Sequence, residues 1–204
     1  MNNIDHLVYA TPELEQGIQE IEELLGVRAT PGGQHPNWGT HNALVSLGPT
    51  CYLEIIAPDP RQTIQPSIFQ LASLQHSKLV TWAAKARLSP DILAEAKTKG
   101  LHFGGLIAGA RQKPDGTLLQ WQLTDPTVEI QQGMIPFLID WGESAHPAAS
   151  AVRGGALKAL RLVHPNPRLV QSLLDNLQIA LEVEHGDQPK LQAKIEGLKD
   201  TIWL

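Results

Sequence analysis

The chain has 204 residues, 42% of them hydrophobic, and a formal charge of -5, enough apolar material for one large domain or two small ones. No Lys/Arg block stands out and aromatics make up 5% of the chain, which argues against a nucleic-acid surface and for a small-molecule partner. The single Cys51 excludes an internal disulfide framework, and neither a signal-like N-terminus nor a membrane-length apolar run is present, so a cytoplasmic protein without a membrane partner is expected.

Ile4 to Ala10 has strand preferences and leads into a helix, with Thr11 as a suitable N-cap, Pro12 suited to the first helical position and Gly26 as a left-handed stop. Leu14, Ile18, Ile21 and Leu25 give that helix its apolar stripe. His6 lies in the strand, on the face that alternation assigns to Ile4 and Val8. A lone strand histidine more often bonds a nearby carbonyl than a metal. Strand-like runs follow at Gly26 to Pro31, Asn42 to Leu47 and Cys51 to Ile56, the last two joined by Gly48-Pro49-Thr50. Glu54 is the one charge in the last run, and burying a carboxylate there calls for a cation, a metal or a catalytic proton. An edge strand with Glu54 in solvent is the plainer alternative.

The strand, cap, proline and helix pattern recurs at Leu79 to Ala86 with Ser89-Pro90, and at Leu157 to His164 with Asn166-Pro167. Pro12, Pro90 and Pro167 are 78 and 77 residues apart. The second unit continues with strands over Leu101 to Ala108, Thr117 to Leu123 and Met134 to Trp141, with Lys113-Pro114-Asp115-Gly116 as a turn. The third offers Leu181 to Glu184, Leu191 to Glu196 and Thr201 to Trp203. The expected organisation is a βαβββ unit over 1–58, a linker with a short helix over 59–77, a second unit over 78–142, a linker over 143–155 and a degenerate third unit over 156–204. Such units cannot cover their sheets alone, so an α+β fold is expected, with tandem units forming a curved mixed sheet or partial barrel and helices outside.

Ile4-Asp5-His6-Leu7-Val8, Gly39-Thr40-His41-Asn42-Ala43-Leu44 and Tyr52-Leu53-Glu54-Ile55-Ile56 resemble the glyoxalase-like branch of the vicinal oxygen chelate superfamily, with Pro136 to Trp141 similar to a second closing strand. The resemblance implies a cupped sheet, one divalent ion such as zinc, nickel, manganese or iron held by His6 and Glu54, and no nucleotide or organic cofactor. It implies isomerase or lyase chemistry on a small carbonyl or hydroxyl compound, with dioxygenases also on this fold, and it allows a homodimer. His41 and Asp140 are candidates to complete the metal set; the second unit offers Ala84, and the third Arg161, where a ligand would repeat.

Trp38, Asn42, Arg111 and Trp121 are candidate substrate contacts, the guanidinium suited to a carboxylate or phosphate. His102 and His146 are weaker candidates, and Cys51 lacks the cation or helix terminus that activates a thiol. Two readings stand: a metal-dependent enzyme in which Glu54 is a ligand or a base, and a metal-free protein holding an apolar compound between Trp38, Trp82 and Trp121.

Overall fold

The computed structural model describes residues 3–112 and 118–204, with the side chains of Arg111 and Gln112 excepted. The first unit comprises β1 (Ile4–Ala10), α1 (Leu14–Leu25), β2 (Thr30–His35), β3 (Thr40–Gly48) and β4 (Cys51–Pro58). The second comprises β5 (Lys78–Lys85), α2 (Pro90–Thr98), β6 (Leu106–Gln112), β7 (Leu118–Thr124) and β8 (Phe137–Asp140). After the two-residue strand β9 (Val152–Arg153) come β10 (Ala156–His164), α3 (Pro167–Asn176), β11 (Val183–His185), β12 (Lys190–Glu196) and β13 (Thr201–Trp203).

The first two units share one curled sheet in the order β2-β3-β4-β1-β5-β8-β7-β6. In each, the first strand pairs in parallel with the last, β1 with β4 and β5 with β8; β1 and β5 then join the units as an antiparallel pair. This is the expected α+β half-barrel of tandem units. The third segment keeps the element order but pairs differently, since β10 lies parallel to β11 and antiparallel to β12 in a separate four-stranded sheet. Its Leu160, Leu162, Ala193 and Ile195 join Leu7, Trp82 and Ala84 in the main core, so it covers the convex back of the β1–β5 junction. A two-sided apolar sheet centre is thereby buried on one side, leaving the concave side for a cavity.

Local details differ from the sequence pattern for identifiable reasons. The N-cap of α1 is Glu13, whose carboxylate accepts from the N–H groups of Glu15 and Gln16, while Thr11 donates to the Glu13 carbonyl. Ser89 and Asn166 cap the other helices, with Pro90 and Pro167 opening them, and Gly26 takes the left-handed stop at φ 79°. The strand expected at Gly26 to Pro31 lies at Thr30–His35, and that expected at Leu101 to Ala108 lies at Leu106–Gln112. Leu101 and Phe103 are buried ahead of the latter as core plugs. The Lys113 to Gly116 turn lies outside the described residues.

Gly39 sits at φ 63° in the β2–β3 hairpin, where a Cβ would collide with the Ile64 carbonyl. Left-handed backbone costs an ordinary residue about 1–2 kcal/mol. Gly39→Ala is expected to lower the melting temperature by at least about 2–4 °C, measured by calorimetry; an unchanged value would show that the hairpin relaxes freely.

Candidate active site

The concave face encloses a cavity of about 550 Å³ including its mouth, between strands of both units. Most of its wall is apolar or aromatic: Trp38 and Phe69 come from loops, Trp121 from β7, Phe137 and Ile139 from β8, and Trp141 from the segment after β8. Polar groups gather on the first unit's side, where His6, His35, Asn42 and Glu54 line it. Few, convergent polar groups in a mainly apolar hollow are the usual make-up of a small-molecule site.

A bulge creates the centre of this group. The pairing of β1 with β5 shifts between Ile4 and His6, which leaves Asp5 as an extra residue and lets neighbouring side chains meet. Asp5 Oδ1 lies 2.8 Å from His6 Nδ1, and Ile4 turns into the convex core, away from the face expected to carry it with His6. Fully buried, Asp5 also accepts from Trp141 Nε1 at 3.2 Å and lies 3.1 Å from His146 Nε2. His146 Nδ1 accepts from the Ala148 N–H at 3.2 Å, so its own proton sits on Nε2 and is donated to Asp5. Burial alone pushes the Asp5 carboxyl up, but hydrogen bonds from His146 and His6 outweigh it and hold the group well below the usual carboxylate range.

An ionised Asp5 fixes the ring of His6 with its Nδ1–H inward and Nε2 towards the cavity. The ring stacks on Tyr52, with centroids 4.6 Å apart, and meets Phe137 edge-on. His6 Nε2 stands 3.7 Å from Glu54 Oε2. Glu54 reaches inward from β4, and its other oxygen accepts from Asn42 Nδ2 at 2.6 Å. The Asn42 amide also lies 3.4 Å from His35 Nε2, while His35 Nδ1 is 3.0 Å from Thr40 Oγ1. The array therefore runs from His146 and Trp141 through Asp5 and His6 to Glu54, Asn42 and His35. Glu54 thus faces, across 3.7 Å, a ring nitrogen of His6 whose other nitrogen is held by a buried carboxylate.

His6, Glu54, Asn42, Trp38 and Trp121 meet around the cavity. His41 does not. Strand alternation points Asn42 and Leu44 inward, so His41 faces the opposite side, where burial depresses its pKa despite the nearby Asp59 carboxylate. Asp140 is a turn cap, accepting from the N–H groups of Leu88 and Gly142, with Arg87 at 3.4 Å. Trp82 is fully buried in the convex core and donates to the Met134 carbonyl, so it forms no wall of the cavity. Arg111 lies on β6, its side chain outside the described residues. His102 is exposed, and burial pushes the Cys51 thiol up to about 12. Asp5, His35 and Tyr52 were not among the expected site residues; the adjacency of Asp5 to His6 was the available signal, but only a bulge makes it a contact.

The two donor atoms that meet, His6 Nε2 and Glu54 Oε2, do not fit a resident divalent ion by themselves. β5 puts Ala83 opposite His6, and β8 turns Phe137 and Ile139 into the cavity, so the second unit offers carbon where further ligands would stand. Among the described residues no group of three His, Cys, Asp or Glu is placed so that it could hold a metal ion, and protein zinc and non-haem iron sites take at least three.

Paired βαβββ units cupped around a ligand-sized hollow define the vicinal oxygen chelate architecture. The chain belongs to the glyoxalase-like domain family, whose model matches residues 4–178. It is similar to a hypothetical protein from Staphylococcus aureus, at 15% identity and a TM-score of 0.66, over 98% of this chain and 83% of that one. It is also similar to methylmalonyl-CoA epimerase from Mycobacterium tuberculosis, at 13% identity and a TM-score of 0.42, over 67% of this chain and 85% of that one. These likenesses concern the fold alone. No curated protein matches the sequence. Among the described residues no helix is long and apolar enough to cross a membrane.

Proposed function

We propose that the protein binds a small oxygenated compound with an apolar body and moves a proton on it, an isomerase- or lyase-type activity with Glu54 as the base and no resident metal. The observation that carries this is the Glu54 carboxylate set in an aromatic hollow, oriented by Asn42 and faced by the Asp5-held His6. Glu54 takes a proton from the carbon beside a carbonyl, and the electron pair of that C–H bond moves onto the carbonyl oxygen. His6 Nε2 accepts the proton from Glu54, giving an imidazolium between two carboxylates, and Asp5 stabilises it without itself being protonated. Return of the proton to the other face or a neighbouring atom completes an isomerisation; departure of a leaving group completes an elimination.

Phenylacetone in deuterated buffer tests the first step. Protein-dependent exchange of its methylene protons, followed by NMR, is expected to proceed equally before and after chelator treatment. Binding by calorimetry without exchange would overturn the catalytic reading and leave the second one, a metal-free binding protein, which the aromatic wall of Trp38, Phe69, Trp121 and Trp141 favours. Exchange that disappears with chelation and returns with zinc or nickel would instead restore a metal to the site.

A further inference from the structure

The aromatic wall of the cavity has a second hollow on its other side. Phe69, Pro126 and Phe137 also line a second, broader hollow of about 1500 Å³ including its open side. The Phe69 and Phe137 rings, 6.2 Å apart, stand at the junction. β8 pairs with β5 only at Ala83, Ala84 and Lys85, and the hollow is lined by the part of β5 before them, Lys78 to Thr81, together with the chain that leads into β8. Gln188 to Leu191 of the third unit form its far rim. That rim lies beyond residue 178, where the family match ends.

Two independent features set this groove apart. Its charged lining residues are Lys78, Lys190 and Glu129, and Glu129 is approached by the Gln70 amide at 3.4 Å. No ion pair within the described residues engages Lys78 or Lys190, so the groove is a net cationic place on a chain of charge -5. The second feature is backbone strain. Phe69, Gln70, Gln131 and Gln132 all have φ between 50° and 56°, and Phe69, Gln70 and Gln132 line the groove. Left-handed non-glycine residues are costly and gather where a binding surface needs them.

We propose that this groove receives an extended anionic tail, a carboxylate or phosphate on a flexible chain, belonging to the same molecule whose oxygenated head lies against Glu54. Lys78 and Lys190 hold the anion, and Phe69 is the narrow point the chain passes. The proposal rests on the reading of the inner cavity as the head site.

The test is calorimetry at low salt with methyl ketones that carry a carboxylate, a phosphate or a methyl ester at the end of the same alkyl chain, across a series of chain lengths, with phenylacetone as a tail-less probe. One exposed ion pair gives little, but two together are expected to favour the anionic ketones by about tenfold over the ester. In the double variant Lys78→Ala/Lys190→Ala that preference is expected to vanish, with ester and phenylacetone binding and the melting temperature unchanged. The carboxylate and phosphate arms separate the two sources of anion. Equal binding of ester and anions by the natural protein, or a preference that survives the double variant, overturns the tail groove while phenylacetone binding leaves the head site standing. Loss of phenylacetone binding and exchange, with the charge preference intact, overturns the head site alone.

Discussion

Replacing Asp5 by alanine is expected to cost about 3–5 kcal/mol of folding free energy, because it removes the shared acceptor of three buried or partly buried donors. His6 Nδ1, Trp141 Nε1 and His146 Nε2 all converge on this carboxylate, which has no exposed surface. Asp5→Asn keeps the volume but turns an amide N–H towards one of the donors, so a smaller loss is expected. The pH dependence distinguishes lost charge from lost packing. The folded-state pKa of Asp5 lies below its unfolded value, so its contribution is complete above the ordinary carboxylate value of about 3.9 and is lost as pH falls towards the folded value. Urea unfolding measured across that acid range should show a steep decline for the natural protein and a shallower one for Asp5→Asn. Parallel curves would mean that the carboxylate charge contributes nothing.

Glu54→Gln is expected to slow phenylacetone exchange by about a hundred- to ten-thousandfold, the usual worth of a positioned base, while leaving its dissociation constant within about threefold. The substituted amide is nearly isosteric with the carboxylate and its carbonyl can still accept from Asn42, so the cavity keeps its shape. Single-turnover exchange rates and calorimetry on one preparation separate the two quantities. A fall in rate matched by a rise in the dissociation constant would make Glu54 a binding group; an unchanged rate would move the base elsewhere. His6→Gln, which removes the acceptor nitrogen facing Glu54, should lower the rate less than Glu54→Gln and alter its pH profile.

What the sequence discloses here is largely what short-range chemistry controls. Ser89-Pro90 and Asn166-Pro167 announce their helices because cap and proline act within one turn. His6 and Glu54 stand out because a strand rarely carries such groups without purpose, and both line the cavity. The bulge at Asp5 depends on the register of β1 against β5, whose residues lie some eighty positions along, and no local pattern encodes it. The same holds for His41 and His35: their loop is conspicuous, but the phase of β3 against β4 decides which imidazole turns inward. Asp140 read as a ligand because its strand closes the second unit, yet its carboxylate is consumed by the Leu88 and Gly142 N–H groups. In the third segment the apolar spacing announced strands but not their neighbours, since pairing β10 with β11 or with a later strand buries the same faces.

The Trp141 and His146 anchors on Asp5 bear on traffic through the site. Lifting the chain around Trp141 and His146 away from the cavity strips two donors from a carboxylate that has no access to water, so that side acts as a fixed wall whose opening is opposed by the desolvation of a charge. The Phe69 side carries no such anchor in its ring contact with Phe137 and borders the second groove. Under the proposed function, ligand exchange is expected to avoid the side held by Trp141 and His146, and residence time is expected to depend on the Phe69 ring.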